Sequence, residues 1–120
     1  MHETGIANSI LEAVETEIGQ RPGSLPRRVG VRIGELSAVD PDALRFAFEV
    51  LSKETGLGSL ELEIEMCPRR HRCPECHCEF TVVEFDHSCP QCGHRSTQSI
   101  SGDQLEIAYL ELEEYEPDRS

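Results

Sequence analysis

Residues 73–76 read CPEC and residues 89–92 read CPQC, so two Cys-Pro-x-Cys motifs stand twelve residues apart. Paired cysteines at this spacing are typical of structural zinc ribbons, in which each motif bends so that both of its sulfurs face one ion. Four thiolates fill a tetrahedron and leave no open position, so the sequence predicts a structural rather than a catalytic Zn(II) site. Two disulfides or a thiol redox centre are the alternatives. The predicted zinc ligands are Cys73, Cys76, Cys89 and Cys92.

Further thiols and imidazoles lie close to these motifs. Cys67 and Cys78 are predicted to stay outside the zinc shell, because the four motif cysteines already complete it. His77 and His94 follow the motifs closely, and we expect them to be hydrogen-bond donors around the zinc or exposed side chains, with replacement of a thiolate as the alternative. The other histidines of this segment show no ligand spacing and are expected to be solvated: His71 and His87.

The composition limits the class of partner. The chain has 120 residues, of which 23 are acidic and 11 are basic, giving a formal net charge of -12. Phosphate contacts need clustered Lys and Arg, so this balance argues against nucleic acid and favours cations or basic protein surfaces. The start of the chain has neither the basic region nor the apolar region of a signal peptide, and no apolar run is long enough to span a bilayer. Since six cysteines without an export signal indicate a reducing compartment, we expect a cytoplasmic protein that does not bind membranes.

Periodic apolar residues predict the secondary structure. A helical stripe covers residues 4–18, an alternating pattern over 29–36 indicates a strand, and residues 19–28, with two Pro and two Gly, are predicted to be a loop. Asp40 before Pro41 is the arrangement of a helix N-cap followed by proline, and the second helix is expected to end at Gly56. Strands are predicted over 60–66, with Glu61, Glu63 and Glu65 on a solvated face, and over 105–112.

These elements predict an α/β (α+β) fold. A small three-stranded sheet with two helices is interrupted by the zinc segment, which forms an inserted zinc-ribbon subdomain. The predicted domains are 1–66 plus 104–120 for the α/β part and 67–103 for the zinc ribbon. Residues 113–120 are expected to fray.

The first residues of the chain offer a second kind of metal site. The α-amine of Met1, the deprotonated amide nitrogen of His2 and the His2 imidazole can form two small chelate rings on one ion. Nitrogen donors of this kind suit square-planar Ni(II) or Cu(II) better than tetrahedral Zn(II). The carboxylate of Glu3 is close enough in sequence to contribute. A disordered N-terminus without a metal is the alternative.

The chain resembles the HypA family of nickel metallochaperones. Four features in the same order support the resemblance: MHE at 1–3 leading into a helix, VDP at 39–41 before LRF at 44–46, the two cysteine motifs, and SGD at 101–103 before an acidic strand. The resemblance implies that His2 is the essential nickel ligand, with the Met1 amine, Glu3 and the carboxylate of Asp40 around it. It also implies zinc on the four motif cysteines.

The resemblance also implies function and partners. Members of this family work with a nickel-handling GTPase to load Ni(II) into the large subunit of [NiFe]-hydrogenase, and in some organisms they serve urease through its accessory proteins. The chain is therefore predicted to be a nickel carrier and not an enzyme, with Ni(II) as transient cargo and Zn(II) as structural metal. An acidic zinc-ribbon adaptor and a thiol oxidoreductase are the alternatives, and a homodimer is one alternative for the oligomeric state.

Overall fold

The computed structural model of the chain describes residues 2–114 and, within them, two α-helices and two three-stranded sheets. This confirms the predicted α+β class with two helices and a small sheet. No helix among the described residues is both long and apolar enough to cross a membrane. The elements are α1 (Glu3–Gly19), β1 (Ser24–Gly34), a 3-10 turn (Glu35–Ser37), α2 (Pro41–Glu54), β2 (Glu61–Cys67), β3 (Arg70–Arg72), β4 (Glu79–Thr81), β5 (Gln98–Ser101) and β6 (Leu105–Glu114).

The described residues divide into two compact units. The first unit contains the residues up to Val31, Val39–Glu65 and the residues from Glu106 onward, and the second contains Arg32–Ala38 and Met66–Leu105. These units differ from the predicted domain boundaries mainly at residues 32–38. That segment includes the 3-10 turn. The backbone N–H groups of its residues Gly34 and Leu36 donate hydrogen bonds to Gln104 and Gly102, just before β6.

The core of the first unit is built by the apolar stripes of its helices. On α1 the buried residues recur every three or four positions, so they lie on one face of the helix, and α1 packs against α2. Leu44 and Phe48 of α2 and Val29 and Val31 of β1 are also buried. The buried face of α1 consists of Ile6, Ala7, Ile10, Leu11 and Val14.

The larger sheet has the strand order β2-β1-β6, so β1 is its central strand. The prediction of a loop up to residue 28 was wrong, because β1 begins at Ser24. Local composition favoured a loop, whereas pairing with distant strands extends β1. Arg28 illustrates this pairing, since it forms ion pairs with Glu61 (3.3 Å) and Glu63 (3.1 Å) of β2 and with Glu111 (3.4 Å) of β6. The exposed acidic face of β2 is thus partly neutralised by one arginine.

Tyr109 lies across this sheet at a position where the central strand has no side chain. A Cβ atom at Gly30 would lie 2.1 Å from the Tyr109 ring, so the ring of this β6 residue occupies the space above β1. The Tyr109 hydroxyl donates a hydrogen bond to the Glu63 carboxylate of β2, and this bond raises the pKa of Tyr109. One side chain therefore links all three strands.

The second unit contains the smaller sheet, with the order β4-β3-β5 and antiparallel pairing on both sides of β3. His71 is opposite Phe80 of β4 and Ser99 of β5, and the register shifts between Arg70 and His71. The core of this unit is small. It consists of the buried residues Cys73, Phe80, Val82 and Cys89, with Cys76 and Cys78 packed against them.

Two glycines allow segments of the second unit to approach closely. The Leu36 N–H donates to the Gly102 carbonyl (2.7 Å), and the Gly34 N–H donates to the Gln104 carbonyl (2.8 Å). Gly102 has a φ of 127°, a conformation that L side chains rarely adopt. A Cβ atom at Gly34 would lie 2.0 Å from the Gly102 carbonyl oxygen. The SGD sequence at 101–103 is therefore a backbone contact point.

Gly34→Ala is expected to destabilise the protein, because the new methyl group would overlap backbone atoms that cannot move without breaking both hydrogen bonds. Overpacking of this kind costs about 1–3 kcal/mol. Urea unfolding followed by circular dichroism measures the effect. Gly19→Ala is the matched control, since a Cβ atom there meets nothing within 4 Å. Equal unfolding midpoints for the two variants would contradict the expectation.

Candidate metal centres

The two Cys-Pro-x-Cys motifs form turns with the same backbone hydrogen bonds. In the first, the Cys73 N–H donates to the Cys78 carbonyl and the His77 N–H donates to the Cys73 carbonyl, both at 2.9 Å. In the second motif the equivalent bonds join Cys89 to His94 and Gly93 to Cys89, again at 2.9 Å. The fourth residue after the first cysteine has a positive φ in both turns: 64° at His77 and 80° at Gly93. Each turn thus directs two sulfurs to the same side.

The four motif cysteines meet in one cluster. Their Sγ atoms all lie within 4.8 Å of one another, and the Cys73–Cys92 and Cys76–Cys89 pairs are each 3.5 Å apart. A tetrahedron of metal–sulfur bonds near 2.3 Å has sulfur–sulfur edges of about 3.8 Å, so this donor set fits a zinc-sized ion. The arrangement is a tetrathiolate metal site.

The electrostatics of the cluster favour a cation at its centre. Burial opposes ionisation of Cys89, but the Cys92 and Gln91 N–H groups hydrogen-bond its sulfur and lower its pKa to about 6. The pKa of Cys76 shifts in the opposite direction. A hydrogen bond from the Cys78 N–H favours its thiolate, but burial and the neighbouring sulfurs prevail and raise its pKa to about 12. Thiolates at this distance repel one another, and a divalent cation would remove that repulsion.

The contacts in the cluster argue against the two alternative uses of these cysteines. No disulfide joins any of the six cysteines, all of which lie within residues 2–114, and 3.5 Å is far beyond the disulfide length of about 2.05 Å. Two sulfur pairs at 3.5 Å join one motif to the other, so the four sulfurs form one shared cluster and not two separate Cys-x-x-Cys redox pairs. Buried Cys67 and half-buried Cys78 are not members of the cluster.

The histidines of the second unit differ in their surroundings. His77 is exposed and His94 is half-buried, and both contribute backbone groups to the turns described above. The expectation of solvation was wrong for His71, which is half-buried. Its ring stacks on His87 with centroids 5.5 Å apart, and its Nδ1 atom lies 2.9 Å from the Thr97 hydroxyl. No ligand spacing indicated this stack, which depends on the packing of the sheet.

The first described residues form the start of α1. His2 is the N-cap residue, and its carbonyl accepts a hydrogen bond from the Ile6 N–H (3.1 Å), while its exposed side chain makes no capping bond. The Glu3 carboxylate accepts a hydrogen bond from the Asp40 N–H (3.1 Å). That bond, together with the backbone N–H of Glu3 itself, lowers the pKa of Glu3. Glu3 is therefore an anionic oxygen donor beside a solvent-accessible imidazole.

Asp40 has the capping role that the sequence predicted. One of its carboxylate oxygens accepts the N–H groups of Asp42 (2.9 Å) and Ala43 (3.4 Å) at the start of α2. A cap of this type stabilises a helix by about 1 kcal/mol. The second carboxylate oxygen makes neither of these bonds, so capping and a metal contact are compatible.

The structure joins Glu3 to the Asp40 backbone, 37 residues away, but it does not assemble a complete second metal site from the described residues. Within residues 2–114, one group of three or more potential metal-ligand side chains has its donor atoms close together, and it consists of the four motif cysteines. Met1, whose amine is a predicted nickel ligand, lies outside the described residues. The nickel-ligand assignments remain predictions.

Fold and tetrathiolate cluster together define the chain as a small α+β metal-binding protein with a cysteine-rich ribbon. The family model "Hydrogenase/urease nickel incorporation, metallochaperone, hypA" matches residues 1–112. The chain therefore belongs to the HypA family of nickel metallochaperones.

Two curated relatives support this membership. A hydrogenase maturation factor HypA from Desulfatibacillum aliphaticivorans is 39% identical over 113 residues, covering 93% of this chain and 87% of the relative. The HypA of Geobacter metallireducens is 38% identical over 113 residues, covering 94% of this chain and the whole relative.

Two solved structures are also similar. The solution structure of the Ni metallochaperone HypA from Helicobacter pylori has a TM-score of 0.63 and 25% identity, and the match covers 93% of this chain and 97% of that one. A second solution structure, of a HypA protein, has a TM-score of 0.69 at 24% identity, with 93% and 96% covered, and supports the fold.

Proposed function

We propose that this metallochaperone binds one Ni(II) at its N-terminus and delivers it to the large subunit of [NiFe]-hydrogenase, and in a urease-producing cell to urease accessory proteins. Nickel is cargo in this proposal, and the protein is not an enzyme. A nickel-handling GTPase is the proposed partner in delivery. Thiolate metal ligands persist in a reducing compartment, so the four-cysteine cluster supports action in the cytoplasm.

One observation carries the nickel assignment: the Glu3 carboxylate, next in sequence to the accessible His2, is fixed by the Asp40 N–H. Three nitrogen donors from the Met1–His2 chelate would bind the metal in a plane, and the Glu3 and Asp40 carboxylates would supply anionic oxygens. Strong nitrogen donors favour Ni(II) and Cu(II) over the hard cations Mg(II) and Ca(II). His2 and Asp40 are exposed and Glu3 is half-buried, so none of these proposed donors lies in the core, and the metal could enter and leave without unfolding it.

The second proposed metal is Zn(II) on Cys73, Cys76, Cys89 and Cys92. A closed tetrathiolate shell suits a structural zinc, because it leaves no position for substrate or water. Bound zinc would supply folding free energy to the second unit, whose own apolar core is small. The adaptor function is not favoured, since it assigns no role to the first residues of the chain.

Isothermal titration with Ni(II) tests the proposed site. The protein with its authentic N-terminus is expected to bind one Ni(II), whereas a single glycine added before Met1 converts the amine to an amide and removes a chelate ring. We expect affinity to fall by at least about tenfold, equivalent to 1.4 kcal/mol. A glycine added after Ser120 is the matched control and is expected to have no effect. Identical nickel affinity for all three proteins would exclude the Met1 amine as a ligand.

A further inference from the structure

An apolar groove lies beside the proposed nickel ligands in the first unit. It has a volume of about 330 Å³ and is formed by Glu3 and Thr4 of α1 and by Ala43, Phe46, Ala47 and Val50 of α2. We call it the Phe46 groove. Its volume is at the low end of the range of about 300–1,000 Å³ for ligand pockets, so it has room for a few side chains.

Phe46 is the unusual member of this groove. Leu44, two residues earlier, is fully buried, and Phe48, two residues later, is 3% exposed, but Phe46 is 70% exposed and Val50, one turn further along, is 42% exposed. Phe46 therefore contributes little to the core. Exposed aromatic side chains beside a groove are typical of protein-binding surfaces.

The charges around the groove indicate the kind of partner. Asp42 and Glu49 are four residues before and three residues after Phe46, so they flank it on the same face of α2, and Glu3 lines the groove itself. The nearby cations are engaged within the unit: Lys53 pairs with Glu49 (3.4 Å), and Arg45 donates to the Leu62 carbonyl (3.3 Å). With Glu49 balanced by Lys53, the negative charge of the rim comes from Glu3 and Asp42, around an apolar centre.

A second copy of the chain does not match this surface. The sequence of the first unit has seventeen acidic and six basic residues, whereas the second unit has six and five. A symmetric contact through the Phe46 groove would place acidic rims opposite each other, and like charges in an interface are unfavourable.

We infer that the Phe46 groove binds a basic amphipathic segment of a partner protein, with an aliphatic side chain of that segment in the groove and its Lys or Arg residues on the acidic rim. This is the helix-in-groove mode of peptide recognition. Because Glu3 lines the Phe46 groove and is also a proposed nickel ligand, a segment bound in the groove lies next to the proposed nickel site. The inference rests on the proposed function only for this last point.

Two synthetic helical peptides test the binding. They share leucines at helical spacing, and their remaining charged positions are all Lys in one and all Glu in the other. Titrations followed by fluorescence anisotropy and by amide NMR spectra of the protein are expected to show at least about tenfold tighter binding of the basic peptide. Shifted amides are expected around Phe46 and Val50, and added salt is expected to weaken binding.

Variants of exposed residues make the test specific. Phe46→Ser is expected to weaken binding of the basic peptide at least about tenfold, and Val50→Ser is expected to weaken it less. Leu25→Ser is the matched control, because Leu25 is 48% exposed in the same unit, away from the groove, and it should leave binding unchanged. Equal binding of both peptides, or equal loss with Leu25→Ser, would overturn the inference. A second result would also overturn it. In that result the unmodified protein is a dimer, Phe46→Ser is a monomer, and the basic peptide does not bind.

Nickel titration of the same proteins separates this inference from the proposed function. Phe46→Ser is expected to bind Ni(II) as the unmodified protein does. Loss of peptide selectivity with normal nickel binding would refute the groove alone. Selective peptide binding by a protein that never binds nickel would refute the proposed function alone.

Discussion

His2→Ala is expected to abolish specific nickel binding while zinc content and fold remain unchanged. The substitution removes the imidazole, and with it a whole chelate ring, from the proposed site. The helix start should be unaffected, because His2 caps α1 through its backbone carbonyl and not through its side chain. Isothermal titration with Ni(II), elemental analysis for zinc and circular dichroism measure the three quantities on the same sample.

Asp40→Asn is the matched comparison for this result. Asparagine caps helices about as well as aspartate, so α2 should keep its stability while the carboxylate charge is removed. A small loss of nickel affinity is expected if Asp40 contacts the metal or its water.

Unchanged nickel binding by His2→Ala would contradict the N-terminal site itself and would favour the adaptor function.

Replacing any one of Cys73, Cys76, Cys89 or Cys92 by Ala is expected to remove zinc and to unfold the second unit. Apparent stabilisation by zinc at such sites is on the order of 10 kcal/mol. The second unit cannot replace that amount by burial, because Cys73 and Cys89 are themselves half of its core cluster. Elemental analysis gives the zinc stoichiometry, and amide NMR spectra report the loss of the small sheet. Helical circular dichroism should persist, since both α-helices lie in the first unit.

Cys67→Ser and Cys78→Ser are the controls for the zinc prediction. Both should retain one zinc and the native fold, because neither residue belongs to the tetrathiolate cluster. Loss of zinc in Cys78→Ser would mean that the first motif uses a different pair of sulfurs.

The sequence predicted best what depends on residues close together in the chain. The apolar stripe of α1 and the Asp40 cap follow from spacings of a few residues, and both agree with the structure. The four cysteines were predictable because ligand spacing in a zinc ribbon is set by two short turns.

Features that depend on tertiary contacts were not predictable. Ser24–Arg28 reads as a loop, and only pairing with β2 and β6 makes it part of a strand. The stack of His71 on His87 and the bond from Asp40 to Glu3 each join residues well separated in sequence. No local pattern indicates such pairs.

The hydrogen bonds between Gly34 and Gln104 and between Leu36 and Gly102 have a consequence for the order of folding. β1 and β6 are neighbours in the sheet, yet the whole segment from Glu35 to Gln104 separates them in the chain. Closing a loop of that length costs conformational entropy and slows strand pairing. Both hydrogen bonds belong to the second unit, so once that unit has formed, the end of β1 and the start of β6 are already adjacent. Among the described strands β6 is synthesised last, and we therefore expect zinc supply to limit how fast newly made chains become competent to carry nickel.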